Sequence, residues 1–329
     1  MNLKDVLSSP RIENEHLGKL NDDWIPKLQK LKYFKIFVPK ELGGLAFNLT
    51  QAAPYLLATA RFHGSLGWTH NLVAGANSFC TYFEEEQAMQ IFKNDNVMCS
   101  GSGTPSGNIQ LVGDQMKVSG QWSKCTGAKW ATHFTAVAQQ THQQNLTFIC
   151  PAHLVSLKKD WYGFGLKATS TDQIQMDEVV LPQFFRFEIG RQKSFFHYSL
   201  AQTNFIIFAR ICMSITFEGL VLRLLDLIEL NLNITKSSTH VYVAQLKKSL
   251  LKLNKKRQFY THQIDHNYSI SDQLLQEGYM VKYFNKKHSK ISLQVERLIQ
   301  DLGMIAIDER SSIHWAYRDV KVAKQHYFV

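Results

Sequence analysis

Glycine and proline are spread along this chain in a way that divides it into three. Between residues 96 and 188 they recur every few positions, in GSGTPSG, VGD, VSGQW, CTGAKW, YGFG and LPQ; from Ser194 onward they almost vanish. Both residue types interrupt regular structure, so the middle must be short strands and turns, and the remainder long helices. Between the turn signals run β-prone stretches such as WATHFTAVAQQ and NLTFICPAH, which predict a small antiparallel sheet or β-barrel domain over 96–190. Before it, Leu17, Leu20, Trp24, Leu28 and Leu31 recur at three- and four-residue steps, and 50–61, 65–80 and 84–93 read as short helices, giving an N-terminal helical domain over 1–95. After it, helical patterns at about 194–231, 237–265, 271–303 and 310–327 predict a C-terminal four-helix bundle over 191–329. Strands and helices are segregated rather than alternating. The expected class is α+β, not a doubly wound sheet.

The 45% of hydrophobic residues is enough to fill such a core and excludes a disordered chain. Cys80, Cys99, Cys125, Cys150 and Cys212 are dispersed and form no C-x-x-C pair, so reduced, buried thiols in a cytoplasmic protein are expected. The opening MNLKDVLSSPRIENEHLGKL lacks the apolar run of a signal peptide. Phe205 to Leu230 is the longest apolar stretch, and Arg210, Glu218, Arg223 and Asp226 within it argue against a membrane span. The net charge is +10, and residues 231–329, with 16 Lys and Arg against 8 Asp and Glu, supply most of it. That asymmetry fits a solvated helix face or an anionic ligand such as a flavin or coenzyme A. No zinc finger, RNA-recognition signature or basic zipper supports nucleic acid.

Local motifs are sparse. In GSGTPSG the glycines fall at 101, 103 and 107, which is not G-x-G-x-x-G, and a strand follows rather than a helix. The segment is an exposed turn or a loop whose backbone N–H groups meet an oxygen-rich ligand. His262 and His266 are four apart in a helical pattern, but no third ligand accompanies them and no metal is expected. No G-x-S-x-G elbow or P-loop occurs.

The order of several longer segments carries more. FVPKELGGLAFNL (37–49), ATARFHGSLGWTHNL (58–72), GSGTPSGNIQLVGDQMKVSGQWSKCTGAKWA (101–131), WYGFGLKATSTDQIQMDEVVLP (161–182), ARICMSITFEGLVLRLL (209–225) and AYRDVKVAKQH (316–326) follow one another as in the acyl-CoA dehydrogenase superfamily of flavoproteins. Over roughly 15–329 the chain resembles that superfamily, and within it the flavin-dependent monooxygenase, hydroxylase-like branch. The resemblance implies a flavin, FAD or FMN, between the β domain and the bundle. It nominates Trp122, Ser123, Cys125, Thr126 and Gly127 beside the ring, and Ser102 and Thr104 at its other edge. It also implies a homodimer or homotetramer, which the apolar helix 205–230 would help to close.

Departures from the family pattern select the branch. The superfamily's dehydrogenases keep a catalytic glutamate at one of two places, which here are Tyr327 and Ala209, and neither residue can replace a carboxylate. What remains is Arg318 and Asp319 followed by His326, similar to the monooxygenase branch, where reduced flavin activates O2 and a histidine supports oxygen transfer. Those three residues are the catalytic candidates, with Asp319 and His326 expected on one helix face. The arginine segment that grips the FAD pyrophosphate in the family has no counterpart in TKSSTHVYVAQLKKSLL, which fits FMN or a weakly held flavin. No nicotinamide site is visible, so a separate flavin reductase is expected. Two other readings remain open: an acyl-CoA dehydrogenase with a displaced base, for which Glu218 is the first place to look, and a non-catalytic member that keeps only fold and assembly.

Overall fold

The structure, a computed structural model, describes residues 3–8, 12–140, 144–191, 193, 200, 203–230, 237–266 and 270–329. Five helices come first: α1 (Ile12–Leu17), α2 (Trp24–Lys30), α3 (Leu49–Phe62), α4 (Gly64–Asn77) and α5 (Glu85–Phe92). Asn48 starts α3 with a capping box, its side chain accepting from the Gln51 N–H while the Gln51 side chain accepts from the Asn48 N–H. His63 ends α3 in an extended conformation and its imidazole caps α4, so the two helices form consecutive arms.

Strands β1 (Cys99–Val112), β2 (Gln115–Cys125), β3 (His133–Gln140), β4 (Asn145–Pro151), β5 (Ser156–Lys158), β6 (Asp172–Pro182) and β7 (Arg186–Phe187) form one sheet in the order β5-β6-β2-β1-β3-β4-β7. The neighbours are antiparallel except β1 and β3, which run parallel, where the sequence predicts an antiparallel sheet throughout. The cause is the short connection 126–132. It returns the chain to the end where β1 began, pairing His133 with Cys99, so the third strand must point the same way as the first. Among the described residues β5 and β7 are sheet edges, so the pairing is that of an open sheet and not of the barrel form. One face carries its own core around Met116, Val118, Trp122, Phe134 and Phe148.

The C-terminal helices are α6 (Phe205–Glu229), α7 (Ser237–Asp265), α8 (Ile270–Leu302) and α9 (Ser312–Ala323). They match the periodicity except at two ends: α6 begins at Phe205, where Asn204 caps it, and not near 194, and α9 stops short of the predicted 327; residues 194–199, 201–202 and 231 of the first predicted helix lie outside the described residues. The four do not close on themselves. α3, α4, α7, α8 and α9 all pack against α6, and residues from both ends of the chain, among them Phe37, Leu56, Ile211, Phe217, Leu246 and Ile313, share one core. Where α6 crosses α3, a Cβ on Gly219 would stand 2.6 Å from that of Ala60, so glycine sets the helix spacing. Although α6 is long and apolar enough to cross a membrane, it is the central helix of this core. Its apolar perimeter is covered by the chain's own helices and does not in itself call for a second subunit. The basic excess of 231–329 falls mostly on exposed positions of α7 and α8.

Candidate functional site

Sheet and helices meet along a cleft of about 440 Å³. α4 and the turn after it bring Asn71, Leu72, Gly75, Ala76 and Phe79; the start of β1 brings Ser100 to Gly103; α6 brings Phe205, Phe208, Ala209, Cys212 and Met213. Thr126, Thr135, Thr147, His326 and Phe328 complete the polar and C-terminal parts of the wall. No Asp, Glu, Lys or Arg is among the described residues that line it. An apolar cleft of this size with a few fixed polar groups suits a planar organic ligand.

Thr126 reaches the cleft because of a bulge. Along β2, Met116, Val118 and Trp122 point into the sheet core at even spacing, and the register then slips between Trp122 and Cys125, with Lys124 at φ 64°. Cys125 thereby takes the next core position and Thr126 turns to the cleft. The Thr126 hydroxyl lies 2.9 Å from that of Thr171, which lies 2.7 Å from that of Thr169, and Thr169 donates to the Leu166 carbonyl at 2.8 Å. Each hydroxyl has one proton to give. With that of Thr169 engaged by Leu166, Thr171 must donate to Thr169, and Thr126 to Thr171. Thr126 therefore offers the cleft lone pairs and no proton.

His326 follows α9 and is half-buried, edge-on to Trp68 with ring centroids 5.4 Å apart. Its Nδ1 accepts from the Phe328 N–H at 3.3 Å, so a neutral ring carries its proton on Nε2. Burial, assisted by the nearby Lys124 cation, lowers its pKa to about 4. The imidazole is neutral at physiological pH.

Of the residues nominated from sequence, Ser102, Thr126 and His326 come together here, and the others do not. Trp122 is fully buried in the sheet core, its indole donating to the Val137 carbonyl at 2.7 Å and its ring edge-on to Phe148. Even spacing along β2 places it there. Ser123 accepts from the Gln173 side chain, and the Cys125 thiol is buried against the Trp122 carbonyl, with desolvation raising its pKa to about 12. The Gly127 N–H is taken by the Thr169 carbonyl, and Thr104 is exposed outside the cleft. All five cysteines are buried free thiols.

Arg318 and Asp319 sit on α9 but face the loop between β5 and β6. Arg318 donates to the Phe164 carbonyl and stacks on Phe164 and Trp315; Asp319 accepts from the Leu166 N–H at 2.6 Å. Asp319 and His326 do not share a helix face, because the helix ends at Ala323. Burial, with the Glu15 charge behind it, raises the Asp319 pKa to about 8.

At the two positions where a dehydrogenase base would stand, Ala209 lines the cleft and Tyr327 is 79% exposed. Glu218 is buried elsewhere, paired with Arg257 at 2.9 Å and accepting from Asn254 at 2.7 Å. His262 near the end of α7 and His266 just after it stack on each other, and no cluster of metal-ligating side chains gathers among the described residues. Sequence reading passed over the α4 wall. Its signal was the helical spacing of Asn71, Leu72, Gly75, Ala76 and Phe79, which sets small and polar residues among apolar ones on one side of a stretch read only as a short helix.

No protein-family profile matches the chain. Among curated proteins it is similar to a pigment production hydroxylase of Rhodococcus sp., 26% identical over 168 residues, which are 50% of this chain and 43% of that protein. It is also similar to HsaA, the oxygenase subunit of a flavin-dependent monooxygenase from Rhodococcus jostii, 27% identical over 180 residues, 52% of this chain and 46% of that protein. The aligned part thus spans about half the length of these relatives. Among solved structures, the 3-HSA hydroxylase from Rhodococcus sp. RHA1 superposes with a TM-score of 0.86 at 16% identity, covering 96% of this chain and 88% of that one. XiaF from Streptomyces sp., in complex with FADH2 and glycerol, superposes with a TM-score of 0.84 at 14% identity, covering 96% and 86%. The chain has the fold of these solved structures, and it is the acyl-CoA dehydrogenase-type fold that the sequence resembles.

Proposed function

We propose that this chain is the oxygenase component of a two-component flavin-dependent monooxygenase, acting on a small organic substrate with reduced flavin and O2. A separate reductase would deliver the flavin, as FADH2 or FMNH2. The observation that carries the reading is the cleft's polar inventory, which holds a neutral histidine and several hydroxyls but no carboxylate among its described lining residues. Oxidation of an acyl thioester requires a positioned base for a carbon-bound proton, worth about 10²- to 10⁴-fold in rate. Among its described residues the cleft offers none.

The residues present fit a flavin. Phe205, Phe208 and Phe328 supply apolar surface, and Ser102 and Thr126 supply polar contacts on the sheet side. Bound reduced flavin would supply the electrons that activate O2. Thr126 would accept a hydrogen bond from the ring edge. His326 is the proposed catalytic residue, holding a proton at Nε2 for the oxygen being transferred. Arg318 and Asp319 act as positioning residues, fixing α9 to the β5–β6 loop and so the segment that carries His326. Assembly as a homodimer or homotetramer belongs to the same proposal; it is supported by Leu251, Phe259, Tyr279 and Leu293, which α7 and α8 leave exposed.

The test is a set of spectral titrations of the purified chain with FMN and FAD, oxidised and chemically reduced. Expected are binding of reduced flavin, O2-dependent oxygenation of an organic substrate, and no bleaching of bound oxidised flavin by acyl-CoA thioesters. Rapid bleaching would replace this reading with a dehydrogenase. Failure to bind flavin in either state would leave the non-catalytic reading.

A further inference from the structure

A second hollow, of about 460 Å³, lies between the segment leading into α2, the turn after Gly127 and the β5–β6 loop, and it shares no lining residue with the cleft. Lys19, Lys129, Lys159 and Lys167 stand around it, all exposed. Among the described residues none of these four ammonium groups has an ion-pair or hydrogen-bond partner, whereas Lys27, Lys117, Lys193, Lys247 and Lys321 are all paired with carboxylates. Two carboxylates reach the hollow, Asp22 and Asp172, and the second already accepts from Ser170 at 2.8 Å. Four lysines against two aspartates leave a surplus of two positive charges in one concavity. An anion placed there would relieve their mutual repulsion.

The hollow also has a fixed aromatic wall. The Trp161 indole donates to the Gly165 carbonyl at 3.1 Å, and its ring lies so close to Gly163 that a Cβ there would stand 2.3 Å away. Trp161 is half-buried yet packs in none of the hydrophobic cores. Its loop is tied to α9 through Phe164 and Leu166, so the ring is held before any ligand arrives. Trp130 lines the same hollow with the Lys129 ammonium 5.7 Å from its ring. A rigid indole beside unpaired lysines is the combination that recognises a flat ring carrying phosphate: the ring stacks and the phosphate meets point charges.

We propose that this hollow binds an aromatic nucleotide, its base on Trp161 and its phosphates among Lys129, Lys159 and Lys167. The inference does not rest on the flavin reading, although Thr171 on the wall of the hollow is hydrogen-bonded to Thr126 of the cleft. The experiment titrates the full chain with ADP, following tryptophan fluorescence and heat, with inorganic pyrophosphate as a second probe. Expected are saturable ADP binding in the sub-millimolar range, weaker pyrophosphate binding, and loss of affinity with added salt. The double charge reversal Lys129→Glu, Lys159→Glu should weaken ADP by about tenfold or more, because two attractive charges become repulsive. Both side chains are exposed, and unchanged circular dichroism would confirm that the fold persists. The proposal is overturned by an absence of ADP binding at millimolar concentration, by ADP binding indifferent to the double variant, or by pyrophosphate binding as tightly as ADP.

Discussion

Replacing Thr126 with valine removes one hydroxyl from the cleft while keeping the branching and nearly the volume of the side chain. The chain of hydroxyls through Thr171 and Thr169 to the Leu166 carbonyl commits the Thr126 proton inward, so what the cleft loses is an acceptor. Reduced flavin carries a proton at N5, where the oxidised ring has a lone pair, so an acceptor at that edge favours the reduced form. One hydrogen bond removed from a buried donor is worth about 1–3 kcal/mol, or roughly 5- to 150-fold in Kd. We expect Thr126→Val to weaken reduced flavin by that amount and to change oxidised flavin by less than about threefold. Thr171 also loses a hydrogen bond, so the fold should be destabilised by about 1 kcal/mol, measurable by urea titration and separable from binding. Thr171→Val makes the complementary test. It frees the Thr126 proton, and the preference for reduced flavin should shrink or reverse. Anaerobic fluorescence titrations in both redox states read these differences directly. Equal losses for both forms, or none for either, would refute the hydroxyl wiring.

Three further outcomes follow from other parts of the molecule. His326→Ala should leave reduced-flavin affinity within about threefold while product formed per O2 consumed falls at least about tenfold, as oxygen electrode and product assays would show. His70 and His288 are completely buried, with burial lowering their pKa to about 4 and about 3, and His326 behaves alike. The unfolded chain takes up protons at these sites below pH 6.5 and the folded one resists, so stability measured by denaturant titration should fall as pH drops from 6.5 toward 4. Asp319 works in the opposite sense. Its folded pKa, raised to about 8, means the native state holds a proton that the unfolded state releases above about 4, so its contribution is lost as pH rises toward 8. Asp319→Asn should abolish that decline between about pH 4 and 8 and retain turnover, whereas Asp319→Ala strands the Leu166 N–H at a cost of about 1–3 kcal/mol. Loss of turnover in a well-folded Asp319→Asn protein would instead make Asp319 catalytic.

How far the sequence could be read depended on whether a residue's role was set locally. The number and order of α6 to α9 follow from periodicity in a segment almost free of breakers, though not the start of α6, which the Asn204 cap sets, and the segregation of strands from helices gave the class. The parallel pairing of β1 with β3 was not legible, because it depends on where a seven-residue connection returns the chain, not on any strand's own pattern. In the same way, Trp122 and Thr126 lie four residues apart in one motif and were nominated together, yet the bulge at Ser123 and Lys124 sends one to the core and the other to the cleft. The apolar perimeter of α6 pointed correctly to burial on most of its sides. It could not say that the burying surface comes from α3 and α4 of the same chain. Arg318 and Asp319 stand next to each other in a motif that reads as catalytic, and only the position of the β5–β6 loop reveals what they hold.

The state of His326 leads to a final expectation about pH. No carboxylate, lysine or arginine is among the described residues of the cleft, and its one imidazole titrates at about 4. A base that weak takes few protons from carbon, but as a neutral ring with its proton on Nε2 it remains a hydrogen-bond donor across the physiological range. The oxygen-transfer step should therefore be flat in pH between about 6 and 8, with an acid limb only where His326 becomes charged. Burial is the larger cause of its low pKa and the Lys124 charge the smaller. Lys124→Asn removes that charge and still accepts the left-handed backbone at this position, so it should move the acid limb upward without eliminating it. Single-turnover measurements of oxygen transfer across pH, in the wild type and in this variant, separate the limb from flavin binding. A wild-type rate that titrates between pH 6 and 7, or a limb unmoved by Lys124→Asn, would show that some other group sets the proton balance of the cleft.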